Sequence, residues 1–139
     1  INKSLYENVS KVGLVNDFLG REKIDDEKIL GKTFPGGKEL PLGYWQRLAI
    51  ARMMYRDRKI FVMDESFTFI DSESKDTILH NILKFIGDDR TLIYITRSVE
   101  NLAMFDKIYF FENGKIVESG SWSELIKKKG KFCKIVKEN

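Results

Sequence analysis

This chain of 139 residues has only one cysteine and one histidine. With Cys133 alone there is no internal disulfide and no cysteine-held metal cluster, which suits a reducing compartment. With His80 alone, any site that needs two histidines is excluded. No apolar run approaches the ~20 residues of a membrane-spanning helix, and the mixed, polar residues 1–10 do not read as a signal peptide. The excess of one charge over the other is also small: the net charge of +3 gives no electrostatic argument for nucleic acid as a partner. Nowhere does a GxxxxGK[ST] loop occur, so no Gly-rich backbone with a lysine is present to cradle phosphates. There is no internal repeat and no low-complexity segment. A start on Ile1 instead of Met is expected of a piece of a longer protein.

What is present suits an ordinary folded domain. Hydrophobic residues make up 42% of the chain, enough for a packed core, and charged residues 32%. Residues 1–38 are mostly polar, with short apolar pieces such as 12–19, and Gly31, Pro35, Gly36 and Gly37 mark a loop. A helix is predicted over 45–55, with Leu48, Ala49, Arg52 and Met53 at helical spacing. The continuous apolar run 60–63 predicts a strand covered on both faces. Asp71 is placed to cap a helix over 72–85 that has Glu73 in its first turn. A second buried strand is predicted over 91–96 and a shorter helix over 99–104. Asn113-Gly114, between 108–111 and 116–117, is a hairpin signal. Two short helices beginning near Ser121 and Lys131 close the chain. Strand–helix–strand alternation followed by a hairpin predicts an α/β fold, mostly parallel.

The chemistry-bearing feature is the end of the first strand. Ligands of parallel α/β sheets bind beyond the carboxyl ends of the strands, and the run Ile60-Phe61-Val62-Met63 stops there at Asp64 and Glu65. The alternatives are a strand that ends in two solvated acids, or the Walker B arrangement of P-loop NTPases. In the second, one carboxylate holds the Mg²⁺ of a nucleotide and the next orients and polarises an attacking water.

The segment upstream bears on that choice. Leu40-Pro41-Leu42-Gly43-Tyr44-Trp45-Gln46-Arg47-Leu48-Ala49-Ile50-Ala51-Arg52 resembles the signature helix of ATP-binding cassettes of ABC transporters, usually LSGGQ-x-QRLAIAR, and matches its second half in full. The likeness covers most of the chain. Ser4-Leu5-Tyr6-Glu7-Asn8-Val9 resembles the exporter segment just after the Q-loop. Residues 63–71 stand where the family has LDEPTSALD, and 93–99 where it has the switch strand ending ITHRL. Phe105 to Ile108, Glu112 to Gly120, Ser123 to Leu125 and Gly130 to Phe132 resemble the closing hairpin and tail of exporter cassettes. Trp45 and the upstream Phe34-Pro35-Gly36-Gly37 resemble the peptide or bacteriocin exporter branch.

The resemblance implies the C-terminal part of a cassette, with Walker A and the Q-loop before Ile1. Residues 1–56 would be a helical, signature-bearing portion, and 57–139 part of the RecA-like core. It implies ATP and Mg²⁺ as cofactors, both requiring the N-terminal half, so this chain alone is not expected to bind or hydrolyse ATP. Glu65 would be catalytic and Asp64 would serve the metal. Leu40, Pro41, Leu42, Gly43, Tyr44, the D-loop residue Asp71 and the switch-position residue Arg97 would face nucleotide. Partners would be a second cassette and a transmembrane transport domain at the cytoplasmic face of the cell membrane, with no nucleic acid.

Several positions depart from the family pattern. Pro41 replaces the signature serine and has no N–H to give. Leu42 replaces the first glycine, adding a side chain where backbone must approach closely, and Tyr44 replaces the glutamine. Arg97 stands where the switch histidine is expected, and a guanidinium only donates hydrogen bonds. Arg97 would hold a phosphate, pair with Glu65, or simply lie at the surface. Phe67 and Phe69 replace small D-loop residues and would pack at a dimer interface or fill the core. Lys127, Lys128, Lys129, Lys131, Lys134 and Lys137 form a basic tail, to be read as a solvated helix face or as contact with anionic lipid. Two functional readings follow: a working part of a transport ATPase, or a degenerate cassette that supports an active partner. A soluble ABC ATPase of DNA maintenance fits the exporter-like hairpin less well.

Overall fold

A computed structural model of the chain describes residues 29–56 and 58–138. The segments 4–9 and 12–19 read above lie outside these residues. The fold divides into two units, with the boundary between Ile95 and Thr96.

Among the described residues, the first unit is a parallel strand pair with two helices. β1 (Ile60–Asp64) pairs in parallel with β2 (Thr91–Ile95), Ile60 opposite Thr91 and Asp64 opposite Ile95. The two predicted strands are therefore neighbours in one sheet. Between them runs α2 (Ser72–Ile86), capped by Asp71 as the sequence predicts: its side chain accepts the Ser74 N–H at 2.8 Å. Gly87 ends the helix at a φ of 53°, a conformation that glycine adopts without strain. The buried stripe of α2 is Ile78, Leu79, Ile82 and Ile86, and Phe85 meets Phe61 of β1 edge-on, ring centroids 6.4 Å apart.

Coverage of both faces, expected for β1 and for the second strand, is not found: in β2 Leu92 and Tyr94 are half-buried and Thr91, Ile93 and Ile95 exposed. Phe61 and Met63 are buried, whereas Ile60 is 62% exposed and Val62 56%. One helix crossing back over the pair shields one face, and the alternation of side chains turns Ile60 and Val62 to the other. Beside that second face runs α1 (Leu42–Tyr55). Ala49, Arg52, Met53, Arg56 and Arg58 line an open cleft of about 290 Å³ with Ile60, Phe61 and Val62.

α1 begins three residues before the predicted 45, and the residues cited for its helical spacing are not the ones it buries. Ile50, Ala51 and Met54 are buried, not Leu48, Ala49, Arg52 and Met53. The two sets lie on different sides of the same helix. Apolar residues occur nearly all round it, so periodicity alone does not choose between them. Before α1, the predicted loop at 31–37 closes by backbone bonds from Gly31 N–H to Lys38 O and from Gly37 N–H to Phe34 O.

The second unit is a hairpin with two short helices. β3 (Ile108–Glu112) and β4 (Lys115–Gly120) pair antiparallel, with an irregularity between Phe110 and Phe111. Asn113 and Gly114 have φ of 50° and 73°, the two positive values of a tight hairpin turn. The helix predicted over 99–104 is only one 3₁₀ turn, Leu102–Met104, because Asn101 sits in the left-handed region and breaks the helical path. α3 (Trp122–Lys128) opens with a capping box formed by Ser121 and Glu124, and α4 is Lys131–Glu138. Ile108, Leu125 and Phe132 form the core, flanked by Phe110 and Trp122, whose rings meet Phe132 edge-on. Cys133 is buried and the six lysines of the tail are exposed, as expected of a solvated helix face.

Glu118 is the one acid buried in this unit. Its Oε1 accepts the Lys131 N–H at 2.6 Å and the Phe132 N–H at 3.4 Å, satisfying donors at the start of α4 that the helix cannot satisfy itself. A Cβ added at Gly130 would lie 2.5–2.7 Å from the carboxylate.

Candidate functional site

β1 delivers Asp64 and Glu65 to the carboxyl edge of the parallel pair, and both are exposed there. Glu65 continues the ladder by one bond, its N–H donating to Ile95 O at 3.0 Å. The chain then turns sharply, with Glu65 at a φ of 47°, an uncommon place for a residue with a side chain. Such conformations cost roughly 1–3 kcal/mol and persist where the surroundings impose them. Here the Thr68 hydroxyl donates to Glu65 O at 2.8 Å and the Ser66 hydroxyl to Asp64 O at 3.4 Å. Phe67 is buried against the edge of the Tyr94 ring, centroids 5.9 Å apart, so it fills the core, while Phe69 stays exposed.

Two exposed carboxylates at a strand end offer the hard oxygen donors that Mg²⁺ prefers. Among the described residues no group of three or more His, Cys, Asp or Glu side chains is arranged to hold a metal. A Mg²⁺ that arrives with nucleotide needs only one or two carboxylates beside phosphate and water. Asp64 and Glu65 fit that requirement.

The signature-like segment is split by its burial. Leu40 is 3% exposed and belongs to the core. Pro41 is the N-cap of α1 and has no side chain with which to cap it; its carbonyl accepts the N–H groups of Tyr44 and Trp45. Leu42, the first helical residue, is 57% exposed. Gly43 and Tyr44 are half-buried. Glycine at 43 has a steric reason, since an added Cβ would stand 2.4 Å from Phe69 O. Upstream, Glu39 takes the Trp45 indole N–H at 3.0 Å and the Lys32 N–H at 3.4 Å, and these bonds, the indole first, hold its carboxyl below the usual range.

Asp71 is drawn to this segment. Besides capping α2, its carboxylate meets Arg47 Nη2 at 3.2 Å, and the same nitrogen donates to Ser74 Oγ at 2.8 Å. The Ser74 bonds, backbone first, and then the Arg47 charge lower the carboxyl of Asp71. Gln46 Oε1 accepts the Phe69 N–H at 2.9 Å. Thus the structure brings Asp64, Glu65, Asp71 and the start of α1 onto one unit. Arg97, exposed, belongs to the second unit, where the neighbouring Ser98 N–H bonds the Thr96 hydroxyl. His80 is exposed on α2. Sequence reasoning did not find the bonds made by Gln46 and Arg47. They had a signal, two long polar side chains in succession beside apolar neighbours, but no target could be read for them.

No family model matches the chain. It is 34% identical over 129 residues to P-glycoprotein 14 of Caenorhabditis elegans, covering 93% of this chain and 9% of that protein. It is 41% identical over 100 residues to the ABC multidrug transporter atrD of Emericella nidulans, covering 72% and 7%. Its relatives are ABC exporters. A third, the β-(1→2)glucan export ATP-binding/permease protein NdvA of Bartonella quintana, is 32% identical over 136 residues, 98% of this chain and 22% of that one. The chain thus spans a small part, between 7% and 22%, of the length of these curated relatives, and its similarity is to the C-terminal region of ABC transporters. The fold also matches the structure of a bacterial Atm1-family ABC exporter with ATP bound, at a TM-score of 0.79 and 24% identity, over 99% of this chain and 23% of that one. No helix among the described residues is long and apolar enough to cross a membrane.

Proposed function

We propose that this chain is part of the ATP-binding cassette of an ABC exporter, with residues 1–56 in the signature-bearing portion and 57–139 in a P-loop NTPase core. The observation that carries the proposal is the exposed pair Asp64 and Glu65 at the carboxyl edge of a parallel strand, Glu65 held at a φ of 47°. Asp64 would hold the Mg²⁺ of a bound nucleotide, which spreads the charge of the phosphates. Glu65 would orient and polarise water. Asp71, Pro41 to Tyr44 at the start of α1 and Arg97 would face nucleotide, with Leu40 buried in the core below and a second cassette supplying the opposing surface. A transmembrane domain at the cytoplasmic face of the membrane would receive the work, for export of a cargo such as a peptide. The test is phosphate release from MgATP by the protein as its gene encodes it, and by Glu65→Gln. Removal of a positioned base lowers the rate roughly 10²–10⁴-fold, and equal rates in the two proteins refute the catalytic reading.

A second reading has its own observation. Pro41 occupies the N-cap of α1 with no N–H and no side-chain cap, and the Leu42 side chain stands out where the family has glycine. A nucleotide phosphate would find fewer donors there than at an LSGGQ helix. In this reading the cassette is degenerate and supports an active partner. It predicts poor binding of MgATP and slow turnover by this subunit, with turnover raised once a cassette with an intact signature is paired with it.

A further inference from the structure

Long polar side chains on an amphipathic helix usually go to water. Two consecutive ones on α1 do not. Gln46 accepts the Phe69 N–H at 2.9 Å, and Arg47 donates to Asp71 at 3.2 Å and to Ser74 at 2.8 Å. One turn earlier, Gly43 admits Phe69 O to within 2.4 Å of where a Cβ would stand. Three points on two successive turns of α1 therefore hold residues 69–74 by backbone, side chain and steric fit. The rest of the loop is tied just as closely. Ile70 N–H bonds Phe67 O at 3.2 Å, Phe67 is buried against Tyr94, and Thr68 Oγ1 bonds the carbonyl of Glu65. Glu65 stands at the far end of this chain of contacts, in a backbone conformation it would not keep unaided.

We infer that Gln46 and Arg47 are positioning residues. They fasten the loop 65–71 to α1, so that the Glu65 carboxylate and the N-terminus of α1 keep one geometry and a shift of α1 carries Glu65 with it. Both act through the loop. Gln46 supplies the acceptor that keeps Phe69 against the helix. Arg47 supplies one nitrogen, Nη2, that reaches the cap of α2 and its first turn together, and the shorter stem of a lysine sets its ammonium back from both. The catalytic consequence rests on the ATPase reading above; the fastening itself does not.

The experiment uses the protein as its gene encodes it and three variants: Gln46→Met, of similar length with no amide acceptor, Gln46→Glu, which keeps an acceptor oxygen, and Arg47→Lys. Amide hydrogen exchange reads the fastening, and the kcat and KM for MgATP read its consequence. Gln46→Met should speed exchange at 69–71 roughly fivefold, the scale of one lost hydrogen bond. Its kcat should fall about tenfold or more with KM within twofold, as when a reacting group is misplaced. Gln46→Glu should restore both, and Arg47→Lys should speed exchange at 71–74. Unchanged exchange in Gln46→Met overturns the fastening, and so does failure of Gln46→Glu to restore it. Faster exchange with an unaltered kcat overturns the positioning role. If the parent protein releases no phosphate at all, the ATPase reading falls, and exchange alone decides whether α1 and the loop are fastened.

Discussion

Replacing Glu118 by alanine should loosen α4 and expose Cys133. The Glu118 carboxylate is buried and bonds the first two N–H groups of α4, one at 2.6 Å and one at 3.4 Å, the second long enough to count for little. Its other oxygen, Oε2, is buried with no hydrogen-bond partner among the described residues. One strong bond to a charged acceptor contributes about 1.5–3 kcal/mol. Against it stands the cost of burying a carboxylate with one oxygen unsatisfied, of order 1 kcal/mol or more. A net loss of about 1–1.5 kcal/mol remains, which opens the first turn of α4 roughly tenfold more often. Cys133 lies in that turn and is 3% exposed, so its thiol reports the opening. The assay is the rate at which a thiol reagent modifies the Cys133 peptide, followed by mass spectrometry. Glu118→Ala should raise that rate about tenfold, while Glu118→Gln keeps an acceptor oxygen and should stay near the parent rate. If Glu118→Ala remains folded and labels within twofold of the parent, the carboxylate does not hold the helix and the reasoning fails.

Other consequences follow from the first unit and from Arg97. Gly43→Ala should cost about 1–3 kcal/mol in thermal or denaturant unfolding, because the new Cβ overpacks against Phe69 O; an unchanged midpoint would contradict it. The folded-state carboxyl of Asp71 is lowered, so its contribution to α2 is present above the ordinary aspartate value and is lost as pH falls through the lower folded one. The Ser74 amide signal should therefore titrate in acid, below pH ~3.9, and should not move between pH 5 and 8. Arg97→His should raise phosphate release in the protein as its gene encodes it, recovering part of the roughly 10²–10⁴-fold that a positioned proton-transfer group supplies. A parent rate already typical of intact exporters would refute that. Residues 1–139 alone should show no micromolar binding of MgATP by calorimetry, since no phosphate-cradling loop occurs in them.

Local signals in the sequence carried far. Asp71 as a cap, Asn113-Gly114 as a hairpin turn and the apolar runs at 60–63 and 91–95 are each decided by side-chain chemistry within a few residues, and each was legible. What failed depended on neighbours distant in sequence. The buried side of α1 could not be read, because Leu48 and Met53 are as apolar as Ile50 and Met54 and only packing chooses between them. The exposure of Ile60 and Val62 depends on how many layers cover the sheet, which a single strand does not encode. At the candidate site, Asp64 and Glu65 were found because a strand that ends in acids is a one-dimensional pattern. Gln46, Arg47 and Glu118 were missed as anchors because their partners lie 23, 24 and 13 residues away. The left-handed Asn101 ended a helix that periodicity alone would have continued.

Several departures from the family pattern lie at the surface: Pro41, Leu42, Phe69 and Arg97 are exposed, whereas Tyr44 is half-buried and Phe67 is buried. Gln46, Arg47, Ile50 and Ala51 agree; the first two bond the loop after β1 and the last two are buried. A change at an exposed donor site costs the fold little, since surface substitutions away from special features are usually within about 0.5 kcal/mol. A change at a buried or doubly bonded site costs more than that. The frame that would align Glu65 with α1 is therefore kept, while the donors that would greet a phosphate are reduced. On the proposed cassette reading, the chain would still dock and move with its frame intact while its own contribution to chemistry is weak. That combination is what the degenerate reading requires, and it gives the Gln46 and Arg47 contacts a role in either reading: they would transmit position between α1 and the loop whether or not Glu65 completes a turnover.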